Sequence, residues 1–128
     1  MDDFEKFKIA DYEYWLVYLH TNQYYLGRVY IWAKRDDAID LMEATPEEIK
    51  ELIEIGREIK RALGEMFQPD LMNYSSLGNE ANHLHVHILP RYKSPRIFDG
   101  IKFVDERWGK NPSPYNRDFR IPESTLVK

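Results

Sequence analysis

Hydrophobic and polar positions alternate along the chain in blocks that predict strand, strand, helix, strand, strand. Tyr14-Trp15-Leu16-Val17-Tyr18-Leu19 is continuously apolar and aromatic, as buried strands tend to be. The polar run His20-Thr21-Asn22-Gln23 breaks it. From Gly27 to Ala33 the period is two, with Val29, Ile31 and Ala33 on one face and Arg28, Tyr30 and Trp32 on the other. Thr45-Pro46-Glu47-Glu48 opens a helix: Thr45 caps, Pro46 suits the first helical position and Glu48 completes a capping box. Ile49, Leu52, Ile53, Gly56, Ile59 and Leu63 form its apolar stripe, and Gly64 is the predicted stop. A short strand, Leu71 to Tyr74, and the turn-prone Ser75 to Asn79 lead to a strand from His83 to Leu89, ended by Pro90. Residues 91–128 show little periodicity and read as an extended tail wrapped on the domain, with a short helix near Ile101–Arg107. The expected class is α+β: an antiparallel β-sheet with a long amphipathic helix packed on it.

Composition narrows this picture. The chain of 128 residues has room for one domain, residues 1–128 with 92–128 as its tail, and 43% hydrophobic residues suffice for a core. Absence of cysteine removes disulfides, thiolate nucleophiles and cysteine metal ligands. No stretch approaches the ~20 apolar residues of a membrane span, and the acidic N-terminus lacks an apolar signal core. A soluble, cytoplasmic protein without a membrane partner is therefore expected. The net charge of −4 argues against a stable nucleic-acid complex, but it is unevenly distributed. Residues 1–89 hold 9 Lys/Arg and 17 Asp/Glu, a net of −8; residues 90–128 hold 9 and 5, a net of +4. A basic C-terminal third suits an anionic substrate.

Candidate chemistry concentrates in His83-Leu84-His85-Val86-His87-Ile88-Leu89-Pro90, which carries three of the four histidines at i, i+2 and i+4. On a strand these share one face, neighbours roughly 6.5–7 Å apart, while Leu84, Val86 and Ile88 face the core. Two chemistries fit. Two of the histidines could share a metal ion, but the outer pair lies roughly 13–14 Å apart along the strand, too far to meet at one ion with bonds of ~2 Å. Alternatively, the central imidazole attacks phosphorus to give a phosphoramidate, flanked by one ring that orients it and another that donates to oxygen.

This alternation of His with apolar residues resembles the signature of the histidine-triad (HIT) family. Pro90-Arg91 resembles members that bind dinucleoside polyphosphates, and Asn73, Gly78, Gly27 and the Thr45-Pro46-Glu47-Glu48 helix start fall where the family places similar features. The resemblance covers roughly residues 12–91. It implies a HIT-like fold, a homodimer, and a nucleotide hydrolase or nucleotidyl transferase acting at the α-phosphorus with no cofactor required. A purine nucleotide would be the substrate, as a phosphoramidate or a dinucleoside polyphosphate. By position, His85 would be the nucleophile, His87 would hydrogen-bond phosphate or leaving-group oxygen, and His83 would orient or polarise His85. Asn73 would contact the phosphate or ribose, Gly78 would form the loop turn, Asn79 would replace a glutamine amide, and Asn22 would contact ribose hydroxyls. The chain departs from the family at Gly78-Asn79-Glu80, where many members have Gly-Gln-Ser or Gly-Gln-Thr. A Glu80 carboxylate beside a phosphate is repulsive and supplies no hydroxyl donor. A second departure is Lys34-Arg35-Asp36, where some branches carry a histidine.

Arg91 and Arg96 follow the triad closely enough to hold a distal phosphate through the guanidinium fork, or to be ordinary ion-paired arginines. Trp108 could stack on a base or anchor an interface. His20 reads as a turn histidine. Two other readings stay open: a nucleotide-binding protein with little turnover, and a metal-binding protein using two strand histidines.

Overall fold

A computed structural model describes residues 6–76, 82–112, 119 and 121. The sheet has five antiparallel strands: β1 (Lys8–Asp11), β2 (Trp15–Leu19), β3 (Val29–Ala33), β4 (Leu71–Ser75) and β5 (His85–Arg91), in the order β1-β2-β3-β5-β4. One long helix, α1 (Pro46–Phe67), covers one face. A hairpin of β6 (Arg96–Phe98) and β7 (Ile101–Phe103) follows. The α+β class, the sheet and the covering helix are as the sequence predicts.

The alternation in β3 sorts the two faces. Val29, Ile31 and Ala33 pack with Trp15, Val17, Leu84 and Ile88 under Leu52, Ile55 and Ile59 of α1. Trp15, Ile31 and Leu84 are wholly buried, so burial of this face supplies the main drive to fold. Trp15 Nε1–H donates to the Glu48 carbonyl at 2.9 Å, tying β2 to the start of α1. The predicted capping box is present: Glu48 N–H donates to Thr45 Oγ1 and Thr45 N–H to the Glu48 carboxylate.

Several boundaries differ from expectation for identifiable reasons. The helix does not stop at Gly64 but runs to Phe67, ending where Gln68 takes a left-handed conformation at φ 49°. The continuation keeps Leu63 and Phe67 against Gly27, where φ is +91° and a Cβ would fall 2.8 Å from a Leu63 methyl, so a side chain there is disfavoured on both counts. The apolar stripe is also rotated: Ile53 is 49% exposed, whereas Ile55, absent from the predicted stripe, is 1% exposed. Pro90 does not end its strand. It pairs with Met72 of β4, beyond the last β3 partner at Val29–Ile88, so no third strand needs the N–H that proline lacks. His83 lies in a bend before β5, not within it. The predicted helix near Ile101–Arg107 is instead β7 followed by a turn. Its hairpin turns at Asp99 (φ 52°) and Gly100 (φ 75°), the two positive φ values of a type I′ turn.

Candidate active site

The strand registers place the histidines over an aromatic floor on the sheet face away from α1. Trp32 lies directly opposite His85 and Tyr30 directly opposite His87. Residues opposite one another in an antiparallel ladder project to the same side. The His83 ring stacks on Trp32 at 4.3 Å, and His85 stacks on the same indole at 5.5 Å. His85 and His87 meet edge to face at 4.9 Å, and Tyr18 stacks under Tyr30 at 5.2 Å. Ser75 of β4 is opposite His87 on the other flank.

Hydrogen bonds fix the rings. His85 Nδ1 lies 2.6 Å from the His83 carbonyl oxygen. A carbonyl only accepts, so Nδ1 carries the proton and Nε2 keeps its lone pair. His83 Nε2–H likewise donates to the Ala33 carbonyl at 2.6 Å. The orienting group for His85 is thus the main chain of His83 rather than its imidazole, while the imidazole ties the bend to β3. His87 differs from both. Its Nδ1 is enclosed without a hydrogen-bond partner among the described residues. Burial first, then the charges of Arg28 and His85, push its pKa down to about 4. At neutral pH it is an uncharged imidazole with one N–H to give. Burial also pushes the Tyr30 hydroxyl up to about 12, keeping it a neutral phenol.

The other candidates separate clearly. Asn73 is on the histidine face, opposite Leu89, with its Oδ1 accepting from Arg91 at 2.8 Å. Asn22 is 6% exposed, and its Oδ1 accepts from Tyr24 N–H at 2.9 Å, so that carbonyl is built into the turn. Gly78 and Asn79, together with Glu80, lie outside the described residues. Arg91 holds no distal phosphate in this arrangement, because all five of its N–H groups are engaged. Nε and Nη2 grip the Asp105 carboxylate at 2.6 and 3.1 Å, and the remaining donors reach Asn73 Oδ1 and the carbonyls of Lys110 and Arg107. Arg96 donates to the carbonyls of Phe67 and Gln68 and to Ser94, closing the end of α1. Trp108 faces the Lys93 ammonium at 5.7 Å.

Two residues that the sequence did not nominate belong to this face. His20 approaches the His87 ring at 5.8 Å and Tyr30 at 5.9 Å. Arg28, 6% exposed, shares a face with Tyr30 and Trp32 and acts electrostatically on His87. The period-two pattern of β3 already put Arg28 on that face, but nothing local said which face would carry histidines. A cavity of about 430 Å³ lies elsewhere, between β1 and the end of α1; Phe7, Leu19, Leu63 and Phe67 line it, and no histidine does. Among the described residues no three His, Asp or Glu side chains converge as a metal site would require. No described helix is long and apolar enough to cross a membrane.

Comparison with known proteins agrees with this geometry. A model of the HIT domain matches residues 3–94. A histidine triad protein of Bradyrhizobium japonicum superposes with a TM-score of 0.75 at 19% identity, over 96% of this chain and 85% of that one. A HIT family member from Bacillus subtilis gives 0.59 at 27% identity, over 68% and 64% of the two chains. A hypothetical histidine triad nucleotide-binding protein of Sulfolobus tokodaii gives 0.58 at 20%, over 69% and 62%. No curated protein matches. The domain match spans well over half of the chain and contains the whole triad, and with it the chain belongs to the HIT family of histidine-triad proteins, generally nucleotide hydrolases and transferases.

Proposed function

We propose that the protein is a nucleotide hydrolase that attacks the α-phosphorus with His85. The observation that carries this reading is the Nδ1–H bond from His85 to the His83 carbonyl, which leaves the Nε2 lone pair as the nucleophile. In the first step Nε2 bonds to phosphorus, the bond from phosphorus to the leaving nitrogen or oxygen breaks, and a leaving nitrogen departs as the amine with a proton from solvent. The imidazolium that develops is stabilised by its Nδ1–H bond to the carbonyl. His87, held neutral, donates its N–H to a phosphate or leaving-group oxygen. In the second step water attacks phosphorus, the P–N bond breaks, the proton of that water passes to solvent, and a nucleoside monophosphate leaves as His85 is restored. Asn73, on the same face, contributes an amide to the phosphate or ribose region. Gly78 and Asn79 are assigned to the phosphate loop on the family pattern alone. The route requires no metal, and the family expectation of a homodimer is carried over with it.

The test is incubation with adenosine 5′-phosphoramidate and with a dinucleoside tetraphosphate, following AMP and an acid-labile protein adduct. Turnover of either with such an adduct supports the proposal. Normal nucleotide binding with neither turnover nor adduct overturns it and favours a nucleotide-binding protein. Chelator-sensitive activity with bound metal would replace it with the metal reading. Light scattering checks the dimer, which predicts twice the 15.4 kDa chain mass.

A further inference from the structure

Attack on phosphorus leaves a charge on His85 that the ring cannot pass on. When Nε2 gives its lone pair to phosphorus, the ring becomes an imidazolium that still holds its Nδ1 proton. That proton faces the His83 carbonyl at 2.6 Å, and a carbonyl accepts a hydrogen bond without taking the proton. His83 in turn donates to the Ala33 carbonyl, so no described hydrogen bond of either ring ends on a carboxylate. The remaining way to meet the charge is across the face of the ring.

Trp32 occupies that face. It lies directly opposite His85 in the β3–β5 ladder, and the two rings stack at 5.5 Å between centroids with 27° between their planes. A cation within about 6 Å of an aromatic centroid is attracted by the negative π face, and indole attracts it most strongly among the aromatic side chains. His85 is 8% exposed, so water screens the contact little. The neighbouring pair is built differently. His87, which stays neutral, meets the Tyr30 phenol at 6.0 Å with 48° between the planes. The ring that gains charge therefore has the indole, and the ring that stays neutral does not. The same indole stacks on the His83 ring at 4.3 Å and 18°, steadying the residue whose carbonyl orients His85.

We propose that Trp32 is a positioning residue that acts through His85, its π face stabilising the imidazolium formed when the ring bonds to phosphorus. This rests on the reading of His85 as the nucleophile at the α-phosphorus. Before attack the ring is neutral and gains little from the indole's electrostatics, so Trp32 favours the transition state and the adduct over bound substrate. Weakening its π face should slow adduct formation without weakening substrate binding.

Rapid-quench single turnovers with adenosine 5′-phosphoramidate test this on the full chain, with Trp32 replaced site-specifically by mono-, di- and tetrafluorinated tryptophan. Fluorine withdraws charge from the π face while nearly preserving the shape of the ring, so folding and packing are kept. The rate of adduct formation should fall stepwise along the series, to about tenfold below wild type in the tetrafluorinated protein. The substrate concentration that gives half the maximal rate should stay close to wild type. Trp32→Phe should lie between wild type and Trp32→Leu, because a smaller π face remains. A rate that is flat across the fluorinated series overturns the assignment, and so does a loss accounted for wholly by weaker substrate binding. Either result makes Trp32 a packing residue, whatever Trp32→Leu does to folding, and leaves the His85 adduct in place. Absence of any adduct in the wild-type protein overturns the nucleophile reading and the Trp32 assignment together.

Discussion

The two faces of one sheet are built to opposite specifications. Towards α1, Trp15, Val17, Ile31, Leu84 and Ile88 interlock, and the one polar atom among them, Trp15 Nε1, finds a carbonyl. On the other face, Trp32 and Tyr30 form a floor under rings whose hydrogen bonds are only partly internal, and the enclosed Nδ1 of His87 has no partner among the described residues. The alternation that buries Val86 and Ile88 is what presents His85 and His87, so stability and chemistry come from the same strand without competing for positions. The difference teaches that, among the described residues, the apolar face is closed on itself while the other face carries the ring nitrogens on which chemistry depends.

That contrast breaks most sharply at His85. His85→Ala should lower kcat by about 10³-fold or more, as for other covalent nucleophiles, with an unfolding midpoint close to wild type. A large loss of stability with retained activity would invert the comparison. On the tail side, Asp105→Asn leaves the Arg91 guanidinium buried beside a neutral amide; the pair is 4% and 1% exposed. Denaturant unfolding should show a loss of about 3–5 kcal/mol. On the helix-covered face, Ile55→Ala should cost about 2–5 kcal/mol while KM stays unchanged.

The effect that needs acid to show itself is a pH dependence. His87 has a folded pKa of about 4 against an ordinary 6.5, so between those values the unfolded chain binds a proton that the folded chain refuses. The His87 contribution to stability is complete above about pH 6.5 and is lost as the pH drops towards 4. His87→Gln should flatten that part of a midpoint-against-pH profile. Arg28→Met, by removing one of the charges that depress it, should raise the His87 pKa in an NMR titration.

Much of this was legible in the sequence because it rests on local periodicity. The β3 alternation, the Thr45 capping box and the i, i+2, i+4 spacing each declare themselves within a few residues. β1 did not, because Lys8–Asp11 is an edge strand, exposed at three of four positions, and its register shifts between Lys8 and Ala10. The β6–β7 hairpin left a signal that went unread: Asp99-Gly100 is a strong short-range turn pair. Gly64 misled because a glycine inside a helix costs only about 1 kcal/mol relative to alanine, and Leu63 and Phe67 on either side of it pack at Gly27. The nearness of Arg28 to His87 was invisible for a different reason. The two are 59 residues apart in sequence, and only the pairing of β3 with β5 brings the Arg28 charge to bear on the ring. Arg91 likewise looked available until Asp105, fourteen residues on, claimed it.

The central claim is that His85 Nε2 becomes covalently bound to the α-phosphorus. Rapid quenching of the wild-type protein with adenosine 5′-phosphoramidate, followed by peptide mass spectrometry at neutral or alkaline pH, tests it directly. The account predicts an adenylyl adduct on the His85-containing peptide, assigned to His85 by fragmentation, lost on acid treatment and absent from His85→Ala. Turnover with no adduct, or an adduct on His83, His87 or His20, would contradict it.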